Sequence, residues 1–213
     1  MLVSEVITRV QNGFGDSNQV MIYDTHIMDW INEGMLEIVR ETQCISKMEN
    51  SMQASAFNNN AGVGIADMIL LKRVYYDTTS LLLLEPESLD RLGYAPQGGV
   101  PVGYYTEGSR IFLYPNPPTT DTTKITIFYV PAPVAVTATG DAIGIPFYLH
   151  GDLAEWCLAK AHERNENYRA AEVIMTRFMK NLSKRKFESL SRDDTYRTVQ
   201  PDPMDQEYGF DLL

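Results

Sequence analysis

Cysteine is nearly absent from this chain. Cys44 and Cys157 are the only two in 213 residues, which rules out a disulfide framework and marks both as small buried hydrophobes of a reducing compartment. Long apolar runs are missing too. The longest aliphatic stretches are Met68–Leu71 and Leu81–Leu84, far short of the ~20 residues a membrane helix requires. The first residues carry Glu5 and Arg9 within a helical pattern, so no secretory signal is expected there. Excess positive charge is also lacking. The net charge is −10 with a pI near 4.7, the opposite of a protein that grips nucleic acid by its phosphates. Such a balance still suits a surface that DNA slides past.

The catalytic and metal-binding signatures are missing as well. The three histidines, His26, His150 and His162, form no H-E-x-x-H, no Glu-x-x-His and no ligand set with paired cysteines, so no metal or cofactor is expected. His150, Asp152, Cys157 and His162 are close in sequence, but the helical phase puts Cys157 on a buried stripe with nothing to polarise it. Gly13-Phe14-Gly15 follows a helix and not a strand. Gly62-Val63-Gly64 follows Asn58-Asn59-Asn60 and reads as a mobile loop. No P-loop and no G-x-S-x-G elbow is present. The expectation is a non-enzymatic protein with no catalytic residues.

What remains is an α+β pattern in four stretches. Residues 1–44 read as two helices. Ser4 caps the first, whose apolar face is Val3, Val6, Ile7 and Val10, and Asn12-Gly13 ends it. Asp24 or Thr25 caps the second, which runs to about Thr42 and buries Ile27, Ile31, Met35 and Ile38, with Met28 and Val39 beside them. Residues 45–144 read as an inserted antiparallel β domain, with strands at Met52–Phe57, Ile69–Tyr76, Ser80–Leu84, Arg110–Tyr114 and Lys124–Val130. The last two are expected to pair as a hairpin, and their apolar residues on both faces imply a small sandwich or barrel, or packing on the helices. Pro86 opens a short helix through Leu92. Residues 145–190 read as two further helices, antiparallel across the short break Asn165-Glu166-Asn167. Leu149, Leu153, Cys157 and Ala161 stripe the first; Ala171, Ile174, Met175, Phe178 and Leu182 stripe the second. The helices from both ends of the chain then form one antiparallel bundle.

Residues 191–213 read as an extended acidic tail. From Glu188 to Leu213 the chain holds seven acids against Arg192 and Arg197, half of the net negative charge. Pro201 and Pro203 break any helical period, so the segment is either a disordered end or, with Tyr196, Tyr208, Phe210, Leu212 and Leu213 as anchors, one that orders on a partner or folds back on the basic helix end of its own or a neighbouring subunit. A basic helix end, Lys180, Lys184, Arg185 and Lys186, precedes it. A second charged feature lies on the second helix. Asp29, Glu33, Glu37 and Glu41 recur every four residues opposite the apolar stripe, and each such pair repels by a few tenths of a kcal/mol in an isolated helix, on the order of 0.3. The row is either a solvated face or a surface kept negative for a purpose.

The order helix, helix, β insertion, helix, helix, tail, with Trp30-Ile31-Asn32, Ile111-Phe112-Leu113-Tyr114-Pro115-Asn116-Pro117 and Ile125-Thr126-Ile127-Phe128-Tyr129 leading through Ile145-Pro146, resembles the head–tail connector (portal adaptor) proteins of tailed bacteriophages. The resemblance spans most of residues 1–190. It implies a virion protein at the head–tail junction, present in host cytoplasm during assembly. It implies self-association into a ring, usually twelve-fold, beneath the portal protein and above a downstream tail or nozzle protein. DNA passes through the lumen without specific binding. By the same likeness the C-terminal extension reaches the portal and the acid row lines the lumen. The alternatives are another tail or nozzle component, or a carbohydrate-binding module on a helical base.

Overall fold

A computed structural model describes residues 1–16, 21–58, 62–85 and 98–195, with side chains to residue 187. The expected helix at Pro86–Leu92 lies outside the described residues. The chain is α+β, with four α-helices and two four-stranded sheets among the described residues.

α1 (Val3–Phe14) and α2 (Asp24–Thr42) open the chain. Both bury the stripes that the periodicity predicts, Val3, Val6, Ile7 and Val10 on one and Ile27, Ile31, Met35, Ile38 and Val39 on the other. Their starts differ from expectation. Ser4 lies inside α1, because the loop at 139–141 accepts hydrogen bonds from Val3 N (3.0 Å) and Ser4 N (2.9 Å) and so extends the helix backwards. The Glu5 carboxylate accepts a bond from Leu2 N at 2.9 Å. α1 also runs past Asn12-Gly13 to Gly15, whose left-handed φ of +83° supplies the cap. Asp24 is the first residue of α2 and accepts a bond from Gln11 Nε2 at 2.9 Å, tying the two helices together.

α3 (His150–Arg164), entered through a 3-10 turn at Phe147–Leu149, and α4 (Tyr168–Thr195) close the described chain. Glu155 meets Arg177 at 3.0 Å, the Trp156 and Phe178 rings pack tilted with centroids 5.3 Å apart, and Asp152 faces Arg185 at 3.9 Å. Asp152 precedes Glu155 and Trp156 in α3 yet meets a later residue of α4 than they do, so the two helices are antiparallel. The turn between them needs a left-handed residue, Glu166 at φ +58°. α4 extends five residues past Leu190, into what reads as tail, because nothing from Ser191 to Thr195 breaks a helix. The four helices share one core with Val130 at the end of the sheet and with Val136, Ile143 and Ile145 of the connector between sheet and helices. Each fully buried Ile, Leu or Phe there contributes roughly 1.5–3 kcal/mol.

The β domain has strands β1 (Lys47–Gln53), β2 (Val63–Gly64), β3 (Met68–Tyr76), β4 (Thr79–Ser80), β5 (Leu82–Leu83), β6 (Gly103–Glu107), β7 (Arg110–Tyr114) and β8 (Lys124–Pro131). One sheet has the order β1-β8-β3-β4 and the other β2-β7-β6-β5. Val74, Ile125, Ile127 and Tyr129 of the first pack with Tyr104, Ile111 and Leu113 of the second, over Ala54 and Phe57. The domain is therefore a small sandwich, and Val130 and Ile69 on the first sheet seat it on the helical core.

Several expected strands shift. β7 does not pair with β8. It pairs with β6 across the turn at Gly108 (φ +60°), while β8 lies in the other sheet between β1 and β3. The link between β7 and β8 carries Pro115, Pro117 and Pro118, and it crosses between sheets instead of closing a hairpin. The apolar stretch Met52–Phe57 ends strand β1 and then coils into a 3-10 turn, burying Ala54 and Phe57. Ser80–Leu84 splits at buried Leu81 into strands of two different sheets. Val63 and Gly64, read as loop, pair with Ile111 and Arg110. Edge strand β1 is bulged between Glu49 and Met52, with Glu49 accepting a bond from Ser51 N at 2.8 Å; such irregularity blunts an edge against unwanted pairing.

The closest helix approach sits at Gly34 of α2. A Cβ there would meet Trp156 Cδ1 at 2.6 Å and Leu153 Cδ1 at 2.8 Å. Replacing Gly34 by Val is expected to destabilise the protein by about 1–3 kcal/mol through overpacking. Gly140→Ala, where a Cβ meets nothing within 4 Å, is expected to leave the thermal midpoint unchanged. Equal melting of the two variants would show that the helices separate freely at this point.

Candidate interaction surfaces

The acid row of α2 resolves into two ends with different surroundings. At 3.6 residues per turn a four-residue step drifts by about 40°, so the row winds around the helix. Asp29 and Glu33 are exposed on the side away from the core. Glu37 is half-buried and lies 3.9 Å from Arg40. Glu41 has turned toward α4, where Lys186 Nζ donates to it at 3.1 Å. The negative face is thus concentrated at Asp29 and Glu33, for which no ion pair exists among the described residues. α2 itself is fixed on the flank of this face. Asn32 Nδ2 donates to Val136 O at 3.1 Å and Asn32 Oδ1 accepts from Val136 N at 2.8 Å, clamping the helix to the connector.

The basic helix end divides as well. Lys186 is engaged by Glu41. Arg185 turns inward, 3.9 Å from Asp152 and 5.7 Å from the centre of the Tyr148 ring. Lys180 and Lys184 point outward, with no ion pair among the described residues. On the same outward strip of α4 are Val173 at 66% exposure and Phe187 at 75%. Large apolar side chains this exposed on a helix are unusual when they share one face, and they mark an interaction surface more than a single exposed Leu does. Sequence reasoning located the lysines and missed the apolar pair. The available signal was that Phe187 lies seven residues after Lys180, out of phase with Phe178 and Leu182.

The residues near His150 behave as core. Cys157 is fully buried, and burial pushes its thiol well above the usual range, so it stays protonated. His150 Nε2 donates to Ile145 O at 2.9 Å, and burial holds the ring's pKa down. The Phe14 and His162 rings pack tilted, centroids 5.1 Å apart, beside a hollow that Asp16, Met21, Asn165 and Asn167 also line. No group of three His, Cys, Asp or Glu positioned to hold a metal occurs among the described residues. No helix among them is long and apolar enough to cross a membrane. The tail anchors Tyr196, Tyr208, Phe210, Leu212 and Leu213 lie outside the described residues.

Asp152 is the one buried carboxylate in the α3–α4 seam among the described residues with a shifted titration. Burial raises its pKa, Arg185 pulls it down, and Glu155 raises it again. A folded-state pKa above the unfolded value means that the neutral carboxyl is favoured on folding. This contribution is complete below the unfolded pKa and is lost as pH rises through the folded one. Asp152→Asn, which keeps the neutral form at every pH, is expected to gain stability relative to the parent between about pH 4 and pH 7. Urea unfolding across that range checks it. A variant that instead loses ground as pH rises would mean that pairing with Arg185 outweighs desolvation.

Against known proteins, the model of the SU10 adaptor protein family matches residues 1–203, nearly the whole chain. No curated protein matches it. The two features most open to partners, the outward acids of α2 and the outward strip of α4, both fall within the matched region. The chain therefore belongs to the SU10 adaptor protein family, and with it to the structural adaptor proteins of bacteriophage virions.

Proposed function

We propose that this chain is a structural, non-catalytic subunit of the phage head–tail connector, assembled as a closed ring beneath the portal protein and above a downstream tail or nozzle protein. Family membership across residues 1–203 is the observation that carries the reading. The separation of outward acidic and outward basic–apolar surfaces onto different helices supports it. A closed ring needs head-to-tail contacts between unlike surfaces of identical subunits, and the outward basic–apolar strip of α4 supplies one side of such a contact. The count of twelve that the resemblance implies is the stoichiometry to test. Light scattering of the free protein, then of a mixture with portal, is expected to show a ring at least in the mixture. A monomer under both conditions overturns the reading.

Within such a ring the acid row of α2 faces the lumen, with Asp29 and Glu33 as its effective charges and Glu37 and Glu41 largely neutralised by Arg40 and Lys186. Fixed negative charge repels DNA phosphates and keeps a conduit from becoming a binding site. Changing Asp29 and Glu33 together to Lys is expected to tighten DNA retention by assembled rings and to steepen its salt dependence by roughly one unit of log–log slope per phosphate engaged. Unchanged retention would move the row off the lumen. The tail, through Tyr196, Tyr208, Phe210, Leu212 and Leu213, docks on the portal, its acids steering it toward a basic groove and raising the association rate more than the affinity.

A further inference from the structure

The outward strip of α4 has a composition that calls for a specific occupant. Arg169, Val173, Lys180, Lys184 and Phe187 fall within about 60° of the helix circumference at 100° per residue. All five are exposed, and Val173 and Phe187 are exposed to 66% and 75%. A ligand for this strip must be acidic and must carry spaced aromatic or aliphatic side chains. Residues 196–213 fit that description. They hold Asp202, Asp205, Glu207 and Asp211 against the single base Arg197, with Tyr208, Phe210, Leu212 and Leu213 among the acids.

Length agrees as well. After a turn of about four residues, the remaining residues of this segment reach about 45 Å when extended at ~3.3 Å each. The 28 residues of α4 span about 42 Å at 1.5 Å per residue. A segment that leaves the helix end and reverses can therefore run the length of the strip. A short tether also gives the two an effective concentration on the order of millimolar, so individually weak contacts are enough.

We infer that in the free subunit residues 196–213 lie back along the Arg169–Phe187 strip of their own helix, covering Val173 and Phe187 and holding the anchors away from partners until assembly displaces them. The inference rests on the reading of the tail as the docking arm and adds its regulation: the same acids and aromatics that engage portal are first occupied within the subunit. Contacts between exposed charges on a surface are weak and screened by salt, so the tail is readily exchanged for a better partner.

Chymotrypsin cleavage after Tyr208 and Phe210 in the full-length protein tests it. At low salt, cleavage of the parent is expected to be about tenfold slower than in a Lys180→Glu, Lys184→Glu, Phe187→Ala variant, and to accelerate as salt screens the charges. The parent in a salt titration gives the same readout without any substitution. Protection is expected to be independent of protein concentration. Equal cleavage of parent and variant, with no response to salt, overturns the inference. So does protection that grows with protein concentration, which would place the tail on another copy. Portal association of the same proteins reads the docking arm separately. Faster association of the variant supports the clasp, whereas a variant with a released tail and no portal binding leaves the clasp standing and removes the docking role.

Discussion

The contact of α2 with α3 at Gly34 is the point on which the arrangement of the molecule turns. α2 comes from the first fifth of the chain and α3 from the last third, and they meet so closely that a single added carbon would strike Trp156 and Leu153. Neither helix pair buries its apolar stripe alone. Ile27, Ile31, Met35 and Ile38 are removed from water by Leu153, Cys157, Phe178 and their neighbours. Because both ends of the chain are committed to this core, the β sandwich must leave and return at nearly the same place. It does so through Ile45 on one side and the 131–145 connector on the other, where Val136, Ile143 and Ile145 join the helical core. The Asn32 clamp on Val136 sets the rotation of α2 from the connector side, while Gly34 sets it from the α3 side.

That rotation decides which charges face outward. A four-residue repeat is not a helical period, so a row of acids at this spacing winds from the exposed side to the flank of α4. The chain meets the flank with Lys186 and leaves Asp29 and Glu33 outside. Likewise Arg185 is drawn inward to Asp152 and Tyr148, whereas Lys180 and Lys184 stay in solvent. A charge run that looks uniform in sequence thus separates into internal pairs and outward groups according to phase. Surface pairs of the Glu41–Lys186 kind stabilise by at most about 1 kcal/mol. Their larger consequence is to determine where unneutralised charge remains.

The helices were legible in the sequence because each carries its own information. The stripes of α1 to α4 are local, and so were the break at Asn165–Asn167 and the end of α2 at Thr42. Their starts were less so, since the cap of α1 is supplied by backbone carbonyls from residues 139 and 141, which no local pattern reveals. The sandwich was legible as a class but not as a pairing. β7 and β8 are adjacent strands with matching apolar content, yet they join different sheets. Strand β6, with Gly103 at its start and no buried residue after Tyr104, gave a weak signal although it is the true partner of β7. β1 is a mostly exposed edge strand, so its apolar pattern pointed instead to the following 3-10 turn. For the surfaces, sequence supplied the acid row and the basic cluster; three-dimensional phase was needed to tell which members are paired inside the subunit.

The residues that form the core and those that stand outward on α2 and α4 are separate sets in this protein. The last buried side chain among the described residues is Leu182. Asp29, Glu33, Val173, Lys180, Lys184 and Phe187 all stand outside that core, so substitutions there change what the subunit meets without opening a cavity or stranding a buried charge, the two routes to large destabilisation. In the proposed assembly role this division lets contacts be weak, charged and reversible, because the outward groups of α2 and α4 lie apart from the side chains that hold the helices and the sandwich together.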